Sequence, residues 1–382
     1  MVLVTNSAQL LDFCSAVGSE EFIAVDTEFV REKTYWPTLC LIQVAARHTA
    51  AVIDVLADGI DLRPLFDLMV NERVLKVFHS ASQDLGIFHH DMGALPAPVF
   101  DTQLAAMVCG FGEQPAYASL VQQLTGAVVD KGSQLTDWAI RPLTERQIDY
   151  ALADVTHLIK VYEELGSRLS DNGREAWFRE EMRSLSAEST YVIEPREQWR
   201  RVRIRRPTRR ALAILRELAE WREITAQRRN LPRNWVLRDE ALTEIAFNAP
   251  ASITDLSRVR AIASRTAEGG DGRAILKAVQ SALALPENEW PQPDMGGLRT
   301  DVDDNLVALL QALLRLRCDE HGVAMPLVAN RRDLEALACG ATTDVRALTG
   351  WRRKVFGEDA VALREGRLAL SYGTGGVKAL RT

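Results

Sequence analysis

No stretch of the 382 residues approaches the roughly 18 consecutive apolar residues that a membrane-spanning helix requires. The opening Met1-Val2-Leu3-Val4-Thr5-Asn6 lacks a basic region followed by a long apolar segment, so it does not read as a secretory signal. The five cysteines are odd in number and contain no Cys-x-x-Cys pair, which leaves a structural zinc site and a disulfide framework without support. Free thiols in a reducing cytoplasm are the expectation, with no membrane partner. The Gly-rich Glu268-Gly269-Gly270-Asp271-Gly272 is not followed by Lys-Ser/Thr and reads as a loop, not a phosphate cradle. Nor is there an overall excess of positive charge: 46 basic against 52 acidic residues give a net charge of −6, so any grip on nucleic acid has to come from local patches. What remains is 47% apolar and 26% charged, enough for two or three well-filled domains.

The most informative segment is Phe22-Ile23-Ala24-Val25-Asp26-Thr27-Glu28-Phe29, an apolar run that ends in two carboxylates. Read as a strand, it places Asp26 and Glu28 on the same side, because side chains two apart share a face. Alone, this fits a strand running into an acidic loop. A second strand reading, Val74–Phe78, is followed by Asp84, which alone fits an ordinary polar residue early in a helix. Thr144 and Gln147 have the spacing of a capping box, so a helix is predicted from there, with Tyr150 and Asp154 stacked one turn apart on one face. Alone, that pair fits a surface contact. Together, four carboxylates without an evident basic partner call for a cation, and an oxygen-only ligand set suits Mg²⁺ or Mn²⁺.

Asp26-x-Glu28, Asp84 and Tyr150-x-x-x-Asp154 resemble the motifs of the DEDD 3′-to-5′ exonuclease superfamily, in the subclass with Tyr in the third motif. Arg31-Glu32, Leu39–Gln43, His79–Leu85, Thr136-Asp137-Trp138 and Arg141-Pro142-Leu143 narrow the resemblance to the ribonuclease D family, closely over the first ~185 residues. The resemblance implies a ribonuclease-H-like α/β domain (mixed sheet, helices on both faces) followed by two small all-α bundles of the helicase-and-RNase-D C-terminal (HRDC) kind. It also implies hydrolysis of RNA from a free single-stranded 3′ end, releasing 5′-mononucleotides. Transfer-RNA precursors and other structured RNAs are the implied substrates.

Two divalent ions about 3.5–4 Å apart are the implied cofactors, one aiming water and one stabilising the leaving oxygen. By the same resemblance Asp26 bridges them, Glu28 and Asp154 complete the nucleophile-side site, and Asp84 supports the other through water. Tyr150, with an ordinary pKa near 10, orients the attacking water and does not deprotonate it. His79 and His157 are expected in packing or hydrogen bonding. Candidate RNA contacts are Tyr35, Trp36 and Trp138 for stacking and Arg31, Lys131 and Arg141 for phosphates, with core packing the alternative for both tryptophans. Gln103 and Gln134 have no assigned role. Two other readings share the motifs: a DNA exonuclease of the same superfamily, and a non-catalytic RNA-binding protein on a nuclease fold. A monomer is expected.

Along the chain, strands are predicted at 22–27, 39–46, 50–54 and 74–78, with a tight turn after Ala46 that argues for a mixed sheet. Helices are predicted at 7–17, 62–70, 82–91, 102–110, 117–124, 145–165 and 171–184. The boundaries are an exonuclease domain 1–188, a basic linker 189–207, a first HRDC domain 208–286, a Pro-rich linker 287–300, a diverged HRDC-like domain 301–371, and a flexible tail 372–382. The two helical blocks align at an offset of 94 residues, with Leu212, Leu215, Pro232 and Asp239 matching Leu306, Leu309, Pro326 and Asp333. The second block lacks the counterparts of Trp221 and Asn230. The linker carries eight arginines between Arg196 and Arg210 against one acid, Glu197, with Trp199 among them, and is either an RNA contact or a solvated connector.

Overall fold

In the computed structural model, residues 2–130, 132, 136–293 and 302–382 are described. The chain folds into two compact units. The first comprises Met1–Val30, Leu39–Tyr191 and Arg299–Thr382, and the second Arg31–Thr38 and Val192–Leu298.

The first unit is built on a six-stranded sheet of β1 (Val2–Val4), β2 (Phe22–Val30), β3 (Thr38–Ala46), β4 (Thr49–Asp54), β5 (Leu75–Phe78) and β6 (Val99–Asp101), in the order β1-β4-β3-β2-β5-β6. β3 and β4 form the antiparallel hairpin expected from their short connection, while β1 runs parallel to β4 and β5 parallel to both β2 and β6. The sheet is therefore mixed. β1 and β6 escape sequence reading because three residues carry no periodicity.

Alternation along β2 explains why this strand is central. Ile23 and Val25 enter one core with Leu10 and Phe13 of α1 (Ser7–Val17), Leu65 and Met69 of α2 (Arg63–Val70) and Leu85 and Phe88 of α3 (Ser82–Met92). Phe22 and Ala24 enter the other with α4 (Thr102–Val108), α5 (Tyr117–Thr125), α6 (Glu145–Asp171) and α7 (Glu175–Leu185). Both faces of the sheet are thus covered by helices, and each fully buried Leu, Ile or Phe contributes about 1.5–3 kcal/mol.

That second core does not stop at α7. It continues into the C-terminal helices, so the second helical block and the sheet share one apolar interior. Trp177 of α7 and Trp351 stack with ring centroids 4.4 Å apart, and buried Glu181 pairs with Arg346 (2.6 Å) and Arg352. The predicted flexible tail is a correction. The chain ends in a hairpin, β7 (Leu368–Gly373) with β8 (Gly376–Arg381), in which Leu368 is buried and Leu370 and Ala379 pack on the shared core. Gly376, at φ +89°, supplies the left-handed backbone at the turn. Gly373 and Gly376 face each other at the turn of this strand pair.

The second unit is helical: α8 (Arg209–Arg229), α9 (Arg233–Val236), α10 (Asp239–Asn248), α11 (Ile253–Leu256), α12 (Ser264–Glu268) and α13 (Gly270–Ala284). Its core includes Trp199, because Pro195–Arg201 is a 3₁₀ helix packed on α8 and not a solvated linker. Arg196 pairs with Glu217 and Glu220, and Arg200 lies over the Trp199 ring. The unit also takes in the eight residues after β2. The backbone N–H groups of Tyr35 and Trp36 both donate to Asn230 Oδ1 at 3.0 Å. Asn230 ends α8 at φ +49°, a conformation that Asn tolerates better than most residues. The C-terminal block of the first unit contains α14 (Asp304–His321), α15 (Met325–Val328), α16 (Arg331–Ala338), α17 (Gly350–Arg352) and α18 (Glu358–Arg364).

Candidate active site

β2 projects Asp26 and Glu28 from its C-terminal half, and the long helix α6 brings Asp154 to them. One carboxylate oxygen from each of Asp26, Glu28 and Asp154 lies within 4.8 Å of the others. α6 begins as predicted, with a full capping box in which Thr144 accepts from the Gln147 backbone and the Gln147 side chain accepts from the Thr144 N–H. That cap fixes the phase of the helix and hence where Tyr150 and Asp154 point. The two are hydrogen-bonded, with the phenol as donor.

Asp84 sits in the first turn of α3 and is buried. Its Oδ1 accepts from the hydroxyl of Thr27, the residue between the two β2 carboxylates, at 2.5 Å. Three of the four acids therefore converge, and the fourth is held beside them through Thr27.

No Lys, Arg or His forms an ion pair with any of the four among the described residues. At 4.8 Å and an effective dielectric near 20, each pair of ionised carboxylates repels by on the order of 3 kcal/mol. The protonation equilibria reflect this. Burial, then the charges of Asp84, Asp154 and Glu28, push Asp26 well above the ordinary carboxylate range. Burial and the charges of Asp154 and Asp84 raise Glu28 to about 8. Burial raises Asp84 to about 7 against the opposing Thr27 hydrogen bond, and Asp154 to about 7 against that of Tyr150. Burial and the neighbouring acids push the Tyr150 phenol upward, so it stays protonated through the neutral range. A cluster of oxygen-only ligands with no counter-charge fits a hard divalent cation.

Two supporting residues carry no obvious sequence signal. Thr27 is one. Asp101, buried at the start of α4, is the other: its carboxylate accepts from the backbone N–H of Ser80 (3.1 Å) and Ala81 (2.8 Å) and caps α4 through Gln103 and Leu104. It thereby fixes the turn that launches α3 and Asp84, a turn in which Ser80 adopts φ +62°. An Asp just before a predicted helix was the available clue. His79, as expected, is in ordinary hydrogen bonding, with Thr102 Oγ1 at 3.0 Å. His157 is held below its usual pKa by burial.

The RNA-contact expectations fare differently. Trp138 is 2% exposed and lies in the core with its ring 6.0 Å from that of Tyr150, so the packing alternative describes it. Arg141 is not free for phosphate: it forms a two-point ion pair with Asp54 (both 2.7 Å) and donates to the carbonyls of Cys40, Trp138 and Ile140. Tyr35 is buried in the helical unit against Glu223, with Trp36 half-buried at its edge. Arg31 is exposed. Lys131 and Gln134 lie outside the described residues. Gln103 donates to the Pro115 carbonyl.

Comparison with known proteins matches residues 1–170 to the 3′-5′ exonuclease family and residues 211–279 to the HRDC domain family. The chain is 47% identical to ribonuclease D of Gluconacetobacter diazotrophicus, over 97% of this chain and 94% of that one. It is 46% identical to ribonuclease D of Sphingobium indicum, over 100% and 98%. Among solved structures it resembles Escherichia coli RNase D, an exoribonuclease involved in structured RNA processing, with a TM-score of 0.81, 31% identity and coverage of 96% and 98%. A protein from Bifidobacterium adolescentis shares the fold, with a TM-score of 0.67 at 22% identity. Matched nearly end to end in sequence and in fold, the chain belongs to the ribonuclease D family of 3′-to-5′ exoribonucleases.

Proposed function

We propose that Asp26, Glu28, Asp84 and Asp154 hold two divalent cations, Mg²⁺ or Mn²⁺, and that Tyr150 completes the catalytic set for removing nucleotides from a single-stranded RNA 3′ end. The observation that carries this reading is the approach of three carboxylate oxygens, from β2 and α6, to within 4.8 Å with no basic partner among the described residues. When bound, such ions supply an activated water and charge stabilisation at the scissile phosphate. The protein's own part is positional. Asp26 and Glu28 are fixed by a central strand, Asp154 by a capped helix, and Asp84 by its bond to Thr27. Tyr150 keeps its proton, so its oxygen can hold a water in line through lone pair and hydrogen bond but cannot act as the base.

The helical stretch after residue 189 reads as an HRDC domain of residues 208–286 with Pro195–Arg201 folded onto it, and the block at 301–371 as a diverged second copy built around α14, α15 and α16. A long helix, a short one and a medium one follow in the same order in both. Precursors of transfer RNA are the substrate class we favour, because extra helical modules lengthen the RNA path. The test is a degradation ladder on matched 5′-labelled RNA and DNA, with 3′-hydroxyl or 3′-blocked ends, with and without EDTA. Stepwise loss from open RNA 3′ ends, abolished by EDTA, is expected. Cleavage that survives EDTA, or internal cuts in 3′-blocked RNA, overturns the assignment of the acids.

A further inference from the structure

A turn at residues 137–140 leads into α6. Asp137 closes it: its carboxylate accepts from the Ala139 N–H at 3.0 Å and its carbonyl from the Ile140 N–H at 3.4 Å. The turn lays Trp138 inward, with its ring 6.0 Å from that of Tyr150 and tilted by 36°. That separation is within the range of about 4.5–7 Å over which aromatic rings attract. The indole Nε1–H has no acceptor among the described residues, so Trp138 contributes a ring face and not a polar bond.

Arg141 fastens this turn to the sheet. A guanidinium has five N–H donors, and here all five are engaged. Nε and Nη2 grip the two oxygens of Asp54, both at 2.7 Å, and Nη2 also reaches the Cys40 carbonyl of β3 at 3.0 Å. Nη1 donates to the carbonyls of Trp138 at 2.6 Å and Ile140 at 2.9 Å. Asp54 is buried at the end of β4 and accepts in turn from the Leu56 N–H at 3.0 Å. One side chain therefore joins the turn to two strands. A lysine ammonium, with three donors and no planar fork, cannot close the same set.

The phenol of Tyr150 is thus held at both ends, its hydroxyl by Asp154 and its ring by Trp138. The oxygen is the side-chain atom farthest from the backbone, so a tilt of the ring displaces it most. A misplacement of about 1 Å in a reacting group can cost on the order of 10²-fold in rate. We propose that Trp138, set by the Arg141–Asp54 pair, positions the Tyr150 hydroxyl for the attacking water. Trp138 is buried and Arg141 has every donor engaged, so both are positioning residues that act through Tyr150 and offer RNA no free group. The proposal rests on the placing of Tyr150 in the catalytic set.

The test is a double-mutant cycle on the full chain, with kcat and KM measured in Mg²⁺ on a 5′-labelled RNA and affinity for the same RNA measured in EDTA. Trp138→Leu should lower kcat about tenfold, with KM and RNA affinity within twofold of the parent. In a Tyr150→Phe background the same substitution should change kcat by less than twofold, because no hydroxyl is left to position. Arg141→Lys keeps the charge but not the fork and should show the same pattern with a smaller loss. Trp138→Phe restores a ring and should recover most of the turnover. Thermal melts establish that each variant is folded at the assay temperature; if Trp138→Leu is not, Arg141→Lys takes its place in the cycle. Equal fractional losses of kcat in both backgrounds, no loss in either, or a loss confined to KM or RNA affinity overturns the proposal while leaving Tyr150 in the reaction. Unchanged kcat in Tyr150→Phe alone overturns the role of the phenol, and the proposal with it.

Discussion

Two of the places where the molecule buries acidic groups are treated in opposite ways. Glu223, in the helical unit, is fully enclosed, yet Arg233 grips both its oxygens (2.6 and 2.7 Å) and Tyr35 donates to it. Burial alone would raise its pKa, but the bonds from Arg233 and Tyr35 hold it below the ordinary value. The acids of β2, α3 and α6 are less enclosed as a set, have no guanidinium or ammonium partner, and are all raised. A buried carboxylate with a fitted cation of its own is a piece of architecture. Several without one form a socket for a cation from outside.

The largest effect expected from this contrast is at Asp26. Asp26→Asn should reduce RNA hydrolysis by at least about 10³-fold, on the scale of losing a preorganised charge contact. In EDTA the same variant should melt higher than the parent, because it removes one of the repelling charges. A lower melting temperature in EDTA would break the comparison. Arg233→Met makes the opposite change. It strands Glu223 without its partner and should cost about 3–5 kcal/mol in urea unfolding of the full chain. Loss of less than about 1 kcal/mol would mean that the Tyr35 hydroxyl suffices as a partner for Glu223. Tyr150→Phe should lower turnover by roughly 10²-fold at unchanged metal and RNA affinity; unchanged turnover would remove the phenol from the reaction.

The smallest effect is on pH dependence. Acids raised in the folded state bind more protons folded than unfolded between about pH 4 and their folded pKa values. Without metal their cost to stability is therefore absent below about pH 4, grows as pH rises toward about 7 to 8, and is constant above. Added Mg²⁺ or Mn²⁺ must displace those protons, so its stabilising shift in melting temperature should be larger at pH 8 than at pH 6. A shift independent of pH would mean the acids are already ionised.

The acids were legible because each lies at a point where local pattern fixes direction: the end of an alternating strand for Asp26 and Glu28, the first turn of a helix for Asp84, a capping box for Tyr150 and Asp154. Misreadings gather where a side chain's partner is far along the chain. Arg141 looked like a phosphate ligand because Asp54, 87 residues earlier, is invisible to local reasoning. Tyr35 looked like a stacking residue because Glu223, 188 residues later, encloses it. The terminal hairpin was hidden because glycines serve mobile tails and tight turns alike, and only the shared core under Leu368 and Leu370 decides between them.

The short excursion between β2 and β3 has an engineering consequence. Residues 31–38 complete the helical unit, with Asn230 fastening the Tyr35 and Trp36 amides and Glu223 receiving the phenol. A nuclease fragment trimmed after Tyr191 would keep these eight residues and discard everything that shelters them. It would carry two orphaned aromatic rings immediately downstream of the strand bearing Asp26 and Glu28. Exchanging the helical module between relatives would thus require rewriting this loop as well.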